Sequence, residues 1–352
     1  MKAAVLKSIG QIEIQDVENP KCTSQSVVIK VESSALCGSD IRAIRAGRTQ
    51  LHLPQILGHE VVGTVIEIGD DVHGIKKGDR VTVVPSIPCT QCRICRRGLS
   101  PDLCPDHISI GFAYPGGFSE YMLIPPEATR AHALLQLPEA LDFDTAVLAE
   151  PLGCVLHGQD QVHVLKGDRV VVIGAGPIGC MHAMVAKHMG AKQVILLQRS
   201  PKRLQEAKSL NVADAYISVL DPDVIDNVRE ITSGEFADVV IVAASSKEAQ
   251  LMAFDIVGIA GRINFFGGLR VPEPFINIPS NRVHYEELVI TGSAGTGAKE
   301  MKRALDVLVK NQDQMNSLVT RKYSLDKINE AIKAAENGNE LKILVKAFGG
   351  LE

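Results

Sequence analysis

The sequence predicts an α/β chain in two parts, a β-rich domain and a doubly wound parallel-sheet domain. Three observations carry this reading. Residues 1–150 hold short β-prone runs broken by Gly and Pro, strands and helices alternate from about residue 165, and a G-x-G-x-x-G turn heads that alternation. At 352 residues the chain is also too long for one typical core and suits two.

In the first part the runs at 26–31, 60–68 and 79–84 read as strands, and Met1 to Leu6 as the first strand. Gly58, Gly63, Gly69, Gly74 and Gly78 fall in one short segment and call for tight turns and bulges. In the second part strands are expected at 168–173, 193–197, 215–219, 237–243, 261–266 and 288–291. Helices are expected at 177–190, 201–210, 223–232 and near 247–257. Near-continuous apolar strands between amphipathic helices mean a parallel sheet covered on both faces. The tail has helix patterns at 299–310 and 325–335 and a strand at 342–347. It is expected to return to the first domain, giving residues 1–150 plus 290–352 for one domain and 151–289 for the other.

Hydrophobic residues make up 45% and charged residues 22%, the balance of a globular protein with a large interior. Aromatics are 4% and Trp is absent, so the core must be aliphatic. A net charge of -4 argues against a nucleic-acid partner. No apolar run approaches the roughly 18–20 residues that span a bilayer, so no membrane partner is expected. The start is too short an apolar stretch for a secretory leader, and it reads as a mature cytoplasmic protein.

The segment Val170-Val171-Val172-Ile173-Gly174-Ala175-Gly176-Pro177-Ile178-Gly179 is an apolar strand running into the glycine turn and then a helix. Gly174 allows the turn, Gly176 lets a pyrophosphate approach the backbone, and Gly179 lets helix and strand pack closely. Pro177 and Ile178 open the helix, whose N-terminus supplies N–H donors and positive partial charge. In this context the motif reads as a dinucleotide site in a doubly wound fold, against a glycine-rich turn that binds no ligand. The next strand ends Gln198-Arg199-Ser200, where NAD enzymes usually carry an acid for the ribose hydroxyls. Its absence removes repulsion against a 2′-phosphate, which Arg199, Ser200 and Arg203 could bind. NADP is favoured, with NAD kept open. The competing reading leaves both arginines solvated or stacked on adenine.

Four of eight cysteines, Cys89, Cys92, Cys95 and Cys104, stand within sixteen residues. Such crowding matches a closed tetrahedral zinc site of structural role, with a disulfide or redox cluster as the alternative. Arg93, Arg96 and Arg97 would offset its negative charge. Elsewhere Cys37-Gly38-Ser39-Asp40, Gly58-His59-Glu60 and Glu150-Pro151-Leu152 are each weak signals. Together they offer a thiolate, an imidazole and two carboxylates, the donor set of an open catalytic zinc site.

These motifs resemble the zinc-containing medium-chain dehydrogenases over essentially the whole chain. Cys37-Gly38-Ser39-Asp40, Gly58-His59-Glu60 with Gly63 and Val65, Gly69 and Gly78-Asp79-Arg80-Val81 carry the resemblance. So do the four-cysteine loop, the run from Gly116 to Tyr121, Glu150-Pro151-Leu152 and the glycine turn. Within that family the chain looks like the sorbitol and polyol branch. The resemblance implies a GroES-like catalytic domain beside the Rossmann domain. It implies one catalytic zinc at Cys37, His59 and Glu150 with Glu60 beside them, and one structural zinc at the four cysteines. Glu150 stands where classical alcohol dehydrogenases have Cys; a helix-capping role is the alternative. Ser39 matches the hydroxyl that takes the substrate proton, against a plain turn serine. A homodimer or homotetramer is also implied.

One departure matters. Relatives often carry His five residues after the first cysteine, and this chain has Arg42, which cannot shuttle protons. With Arg45 and Arg48 it could clamp a phosphorylated polyol, touch cofactor phosphates, or be part of a solvated basic loop. The expected activity is hydride transfer between a secondary alcohol, a polyol or polyol phosphate, and the nicotinamide, in a cleft that excludes water. Threonine dehydrogenase-like or aldehyde chemistry on the same fold is the alternative, and a non-catalytic scaffold the remote one.

Overall fold

Val27–Ala35 is buried along most of its length on both faces, as β-branched and small residues allow. In the computed structural model, which describes residues 1–269 and 274–348, it pairs antiparallel with Glu60–Ile68 and with Lys342–Lys346. Tyr121–Ile124 pairs with it as well. The sheet runs outward through Arg80–Val83 to Leu134–Gln136 on one side and to Val319–Ser324 on the other. A smaller sheet joins Gln11–Asp16, Lys2–Ser8 and Gln55–Ile56. Leu6, Leu57, Phe118, Ile328 and Val345 belong to one buried cluster in this unit.

Register decides what gathers at one end of this sheet. Ala35 is opposite Glu60 on one flank and Leu344 on the other. The Leu36 N–H donates to the Ile343 carbonyl at 3.0 Å. Cys37, His59, Glu60 and Lys342 are therefore neighbours in space although Lys342 is 282 residues from Glu60. Gly58 makes the approach possible. Its φ is +96°, and a Cβ there would stand 2.8 Å from the Phe118 ring.

Compact packing divides Met1–Gly153, with the chain from Gly295, from the unit Cys154–Ala294. The second unit holds a six-stranded parallel sheet. Its order is Ala215–Ser218, Gln193–Gln198, Arg169–Ile173, Ala237–Val242, Val257–Phe265, Val289–Gly292. That is the doubly wound order 3-2-1-4-5-6, with its reversal between Arg169–Ile173 and Ala237–Val242. Val171, Ile195, Leu197, Val240 and Ile263 fill its core, so these strands read as continuous apolar runs.

The strand Val257–Phe265 starts four residues before the expected 261, after a register shift near Ala237. The expected 325–335 helix is a 3₁₀ turn, Leu325–Lys327, followed by the helix Ile328–Asn337. Val319–Ser324 was not foreseen: as an outer strand it is largely exposed and lacks the apolar alternation that marks a half-buried one. No described helix is long and apolar enough to cross a membrane.

The helix Pro177–His188 buries His182 completely, with its ring edge-on to Phe266 at 4.7 Å. Desolvation pushes its pKa down to about 3. The folded protein keeps this imidazole neutral, while the unfolded chain protonates it near its model value of 6.5. Stability is therefore complete above that value and falls by about 1.4 kcal/mol per pH unit below it, until the folded site itself titrates. His182→Leu should flatten the stability profile between pH 6.5 and about 3 by one proton's worth, read from urea unfolding at a series of pH values.

Candidate functional site

Cys37, His59 and Glu60 each present a ligand atom, and these atoms lie within 4.8 Å of one another. His59 is 7% exposed and Glu60 is fully buried. Cys37 caps the helix Gly38–Ala46, and Asp40 in its first turn organises the group. One Asp40 oxygen accepts the Cys37 N–H at 3.0 Å, and the other lies 3.1 Å from His59 Nδ1. With Nδ1–H donating to that carboxylate, Nε2 keeps its lone pair for a metal. Ser39 Oγ stands 3.4 Å from Nε2.

Burial opposes charge on His59, but Asp40 and Cys37 outweigh it and hold its pKa well above the ordinary value. The pocket is built to hold positive charge, which a divalent ion supplies in place of the proton. Lys342 supplies some already. It is 3% exposed and donates to Glu60 Oε1 at 2.6 Å. Burial would strip its proton, yet the charges of Glu60, Cys37 and Glu150 hold its pKa above the usual range. Glu60 Oε2 is within ion-pair reach of the same ammonium but makes no hydrogen bond, leaving a buried acceptor beside Cys37 and His59. Glu150 is 8% exposed at the start of Ala149–Gln161. It falls outside the close group, which contains Glu60 instead.

The four clustered thiols fit a second ion. Cys92 Sγ lies 3.4 Å from Cys95 and 3.8 Å from Cys104, and Cys89 lies 3.9 Å from Cys95. These separations approach the edge of a tetrahedron with zinc–sulfur bonds of 2.3 Å, roughly 3.8 Å, and far exceed a disulfide bond. The backbone N–H of Cys95 and neighbouring thiols pull the Cys92 pKa down to about 7, while burial pushes Cys95 up to about 12. Ionising all four thiols together would call for a cation among them.

In the other unit, Gly174 has φ +112° and its N–H donates to the Leu197 carbonyl. A Cβ on Gly179 would lie 1.7 Å from the Gly174 oxygen, so only glycine fits. Gly176 caps the helix that Pro177 and Ile178 begin. Gln198 folds back on its own backbone, accepting the N–H groups of Arg199 at 2.6 Å and Ser200 at 3.3 Å. Ser200 caps the helix Pro201–Ser209. Arg199 is close enough for its charge to help lower the pKa of Glu248, below the larger effect of the Ser246 hydrogen bond. Arg203 Nη1 lies 3.1 Å from where a Gly176 Cβ would be, at the glycine turn itself.

The basic loop expected around Arg42, Arg45 and Arg48 is instead the helix Gly38–Ala46, started by Cys37 and Asp40, with Arg48 just beyond it. Sequence reasoning passed over Asp40 and Lys342. An acid three residues after a helix cap was a usable signal for Asp40. Nothing local marks Lys342, whose partner is 282 positions away.

An alcohol dehydrogenase GroES-like domain model matches residues 23–139, and a zinc-binding dehydrogenase model matches residues 177–310. An uncharacterized zinc-type alcohol dehydrogenase-like protein of Haemophilus influenzae is 34% identical, covering 99% of this chain and 98% of its own. The L-threonine 3-dehydrogenase of Escherichia coli K12 is 30% identical over 98% of this chain and 99% of its own. The crystal structure of 2R,3R-butanediol dehydrogenase from Bacillus subtilis has a TM-score of 0.88 and 28% identity, covering 99% of both chains. With its GroES-like and Rossmann-type domains, the chain belongs to the zinc-containing medium-chain dehydrogenase/reductase family and is a zinc- and NAD(P)-dependent enzyme acting on a CH–OH group.

Proposed function

We propose that the enzyme oxidises a secondary alcohol, in a polyol or polyol phosphate, to the ketone. The alcohol carbon loses a hydride to NAD(P)⁺ and its hydroxyl loses a proton, giving ketone, NAD(P)H and one proton. The observation that carries this reading is the close group of Cys37, His59 and Glu60 with Ser39 against the imidazole. Zinc held by Cys37, His59 and Glu150, with Glu60 as an exchangeable neighbour, would supply the Lewis acidity that makes the hydroxyl proton labile. Ser39 accepts that proton as the hydride leaves. Asp40 keeps His59 in one tautomer and one orientation. Arg42 stays protonated and takes no part in the relay, so the proton leaves Ser39 through water, a ribose hydroxyl or another residue. A second zinc at Cys89, Cys92, Cys95 and Cys104 stiffens its lobe and does no chemistry.

The cofactor is NADP in this reading. Gln198 carries no charge and its oxygen is occupied, which leaves its amide N–H groups, Arg199 and Ser200 for a 2′-phosphate. Arg203, beside Gly176, suits the pyrophosphate better than the 2′-phosphate. Arg199→Ala should weaken NADP about 10- to 100-fold and leave NAD almost unchanged, as expected for one charge-assisted contact. Equal weakening of both in a cofactor titration would assign Arg199 elsewhere.

The outer edge of Val289–Gly292 supports a homo-oligomer of two or four chains with a two-fold axis there. Val289 is 48% exposed on that strand, with Ile259 82% exposed on its neighbour. Sedimentation should give an even multiple of the chain mass, and Val289→Lys should lower it. The cytoplasm, where thiols stay reduced, suits the cysteine sites.

L-Threonine is also a secondary alcohol, and a threonine dehydrogenase is among the relatives. A steady-state panel of free polyols, polyol phosphates, 2,3-butanediol and L-threonine with each cofactor tests the proposal. Ketone formation from a polyol or its phosphate is the expected result. Turnover of threonine alone would replace it.

A further inference from the structure

The three arginines near the first ligand are not equivalent. Arg45 is paired in a fork with Glu336, at 2.5 and 2.6 Å. Among the described residues neither Arg42 nor Arg48 has a carboxylate partner. Arg42 lies beside Gly38, the residue after Cys37, and Arg48 is linked to His59 through Phe112. Arg42 is four residues from Gly38 on the same helix face, and its Nη1 is 3.7 Å from where a Gly38 Cβ would be. Gly38 lies between Cys37 and Ser39.

Arg48 stacks on Phe112, 4.1 Å from the ring centroid, and Phe112 in turn packs on His59 with centroids 5.4 Å apart. Phe112 is 2% exposed, so the platform is fixed. Gln50 pins the loop, donating to the His107 carbonyl at 3.0 Å and accepting the Ser109 N–H at 3.2 Å. Stacking uses only the face of a guanidinium. Its N–H groups point outward around the rim and stay available.

We infer that Arg42 and Arg48 are a specificity pair for an oxyanion, so that the alcohol carries a phosphate monoester or a carboxylate. Neither guanidinium is neutralised by a carboxylate among the described residues, so each keeps its charge and its N–H fork for an oxyanion, which accepts forked, charge-assisted hydrogen bonds. A neutral polyol gains no such bond. This rests on the proposed alcohol oxidation and narrows its substrate. Arg45, already neutralised by Glu336, is excluded from the pair.

The test uses the zinc-loaded enzyme with D-sorbitol, D-sorbitol 6-phosphate and L-threonine, measuring calorimetric Kd beside kcat/KM. One of the two anionic compounds should bind at least about 10-fold tighter than sorbitol, and which one does distinguishes phosphate from carboxylate. Arg42→Gln and Arg48→Gln should each weaken that compound about 10- to 100-fold while sorbitol is unchanged. Arg45→Gln should change neither. Sorbitol binding as tightly as both anions would overturn the inference. So would arginine variants that raise only the KM of the cofactor, which would give both residues to its phosphates. Anion binding that depends on both arginines, without turnover of any alcohol, would support the pair and defeat the reaction reading instead.

Discussion

His59→Ala should lower kcat/KM for the alcohol by at least about 1000-fold, because Lewis-acid stabilisation contributes several kcal/mol at the transition state. Of the two zinc ions proposed per chain, the same variant should lose one and keep the other. The ion that remains belongs to Cys89, Cys92, Cys95 and Cys104, whose sulfurs share nothing with His59. Asp40→Asn is the informative companion. It preserves shape but weakens the acceptor 3.1 Å from Nδ1, so it should reduce zinc affinity about 10- to 100-fold without abolishing binding. Elemental analysis with steady-state kinetics checks both variants. A His59→Ala enzyme with two zinc ions and unimpaired turnover would contradict the assignment.

Lys342→Met should cost about 3–5 kcal/mol of stability, since it leaves the carboxylate of Glu60 buried without its ammonium. Lys342 is 3% exposed and Glu60 fully buried, so neither can turn to water. The double variant Glu60→Gln with Lys342→Met should recover most of the loss, because it removes both charges together. Urea unfolding of the metal-free protein measures this directly. A loss below about 1 kcal/mol would mean that the pair is solvated and that Lys342 does not neutralise the site.

How far the sequence led differs between the two units. In the second, the central strands are paired along both edges and buried on both faces, so apolar runs such as Val170 to Ile173 announce themselves. The glycine turn was equally legible, because Gly174 and Gly179 are there for reasons of backbone space alone. The four cysteines carry their own spacing. Cys37 and His59 could be read only as fragments, and they meet because Ala35 aligns with Glu60 across two strands. Lys342 enters through a third strand from the far end of the chain, so no local pattern could have named it. Arg42, Arg45 and Arg48 show the same limit. Three identical side chains at regular spacing differ only in what stands opposite: Glu336 for one, Phe112 for another, and no carboxylate among the described residues for the third.

Turnover after exhaustive chelation, with residual zinc quantified in the same sample, probes the mechanism most directly. Activity should vanish as the ion at Cys37 and His59 is lost and return when zinc alone is added back. An enzyme that oxidises its alcohol at full rate with that ion gone would show that these side chains do not act through a metal.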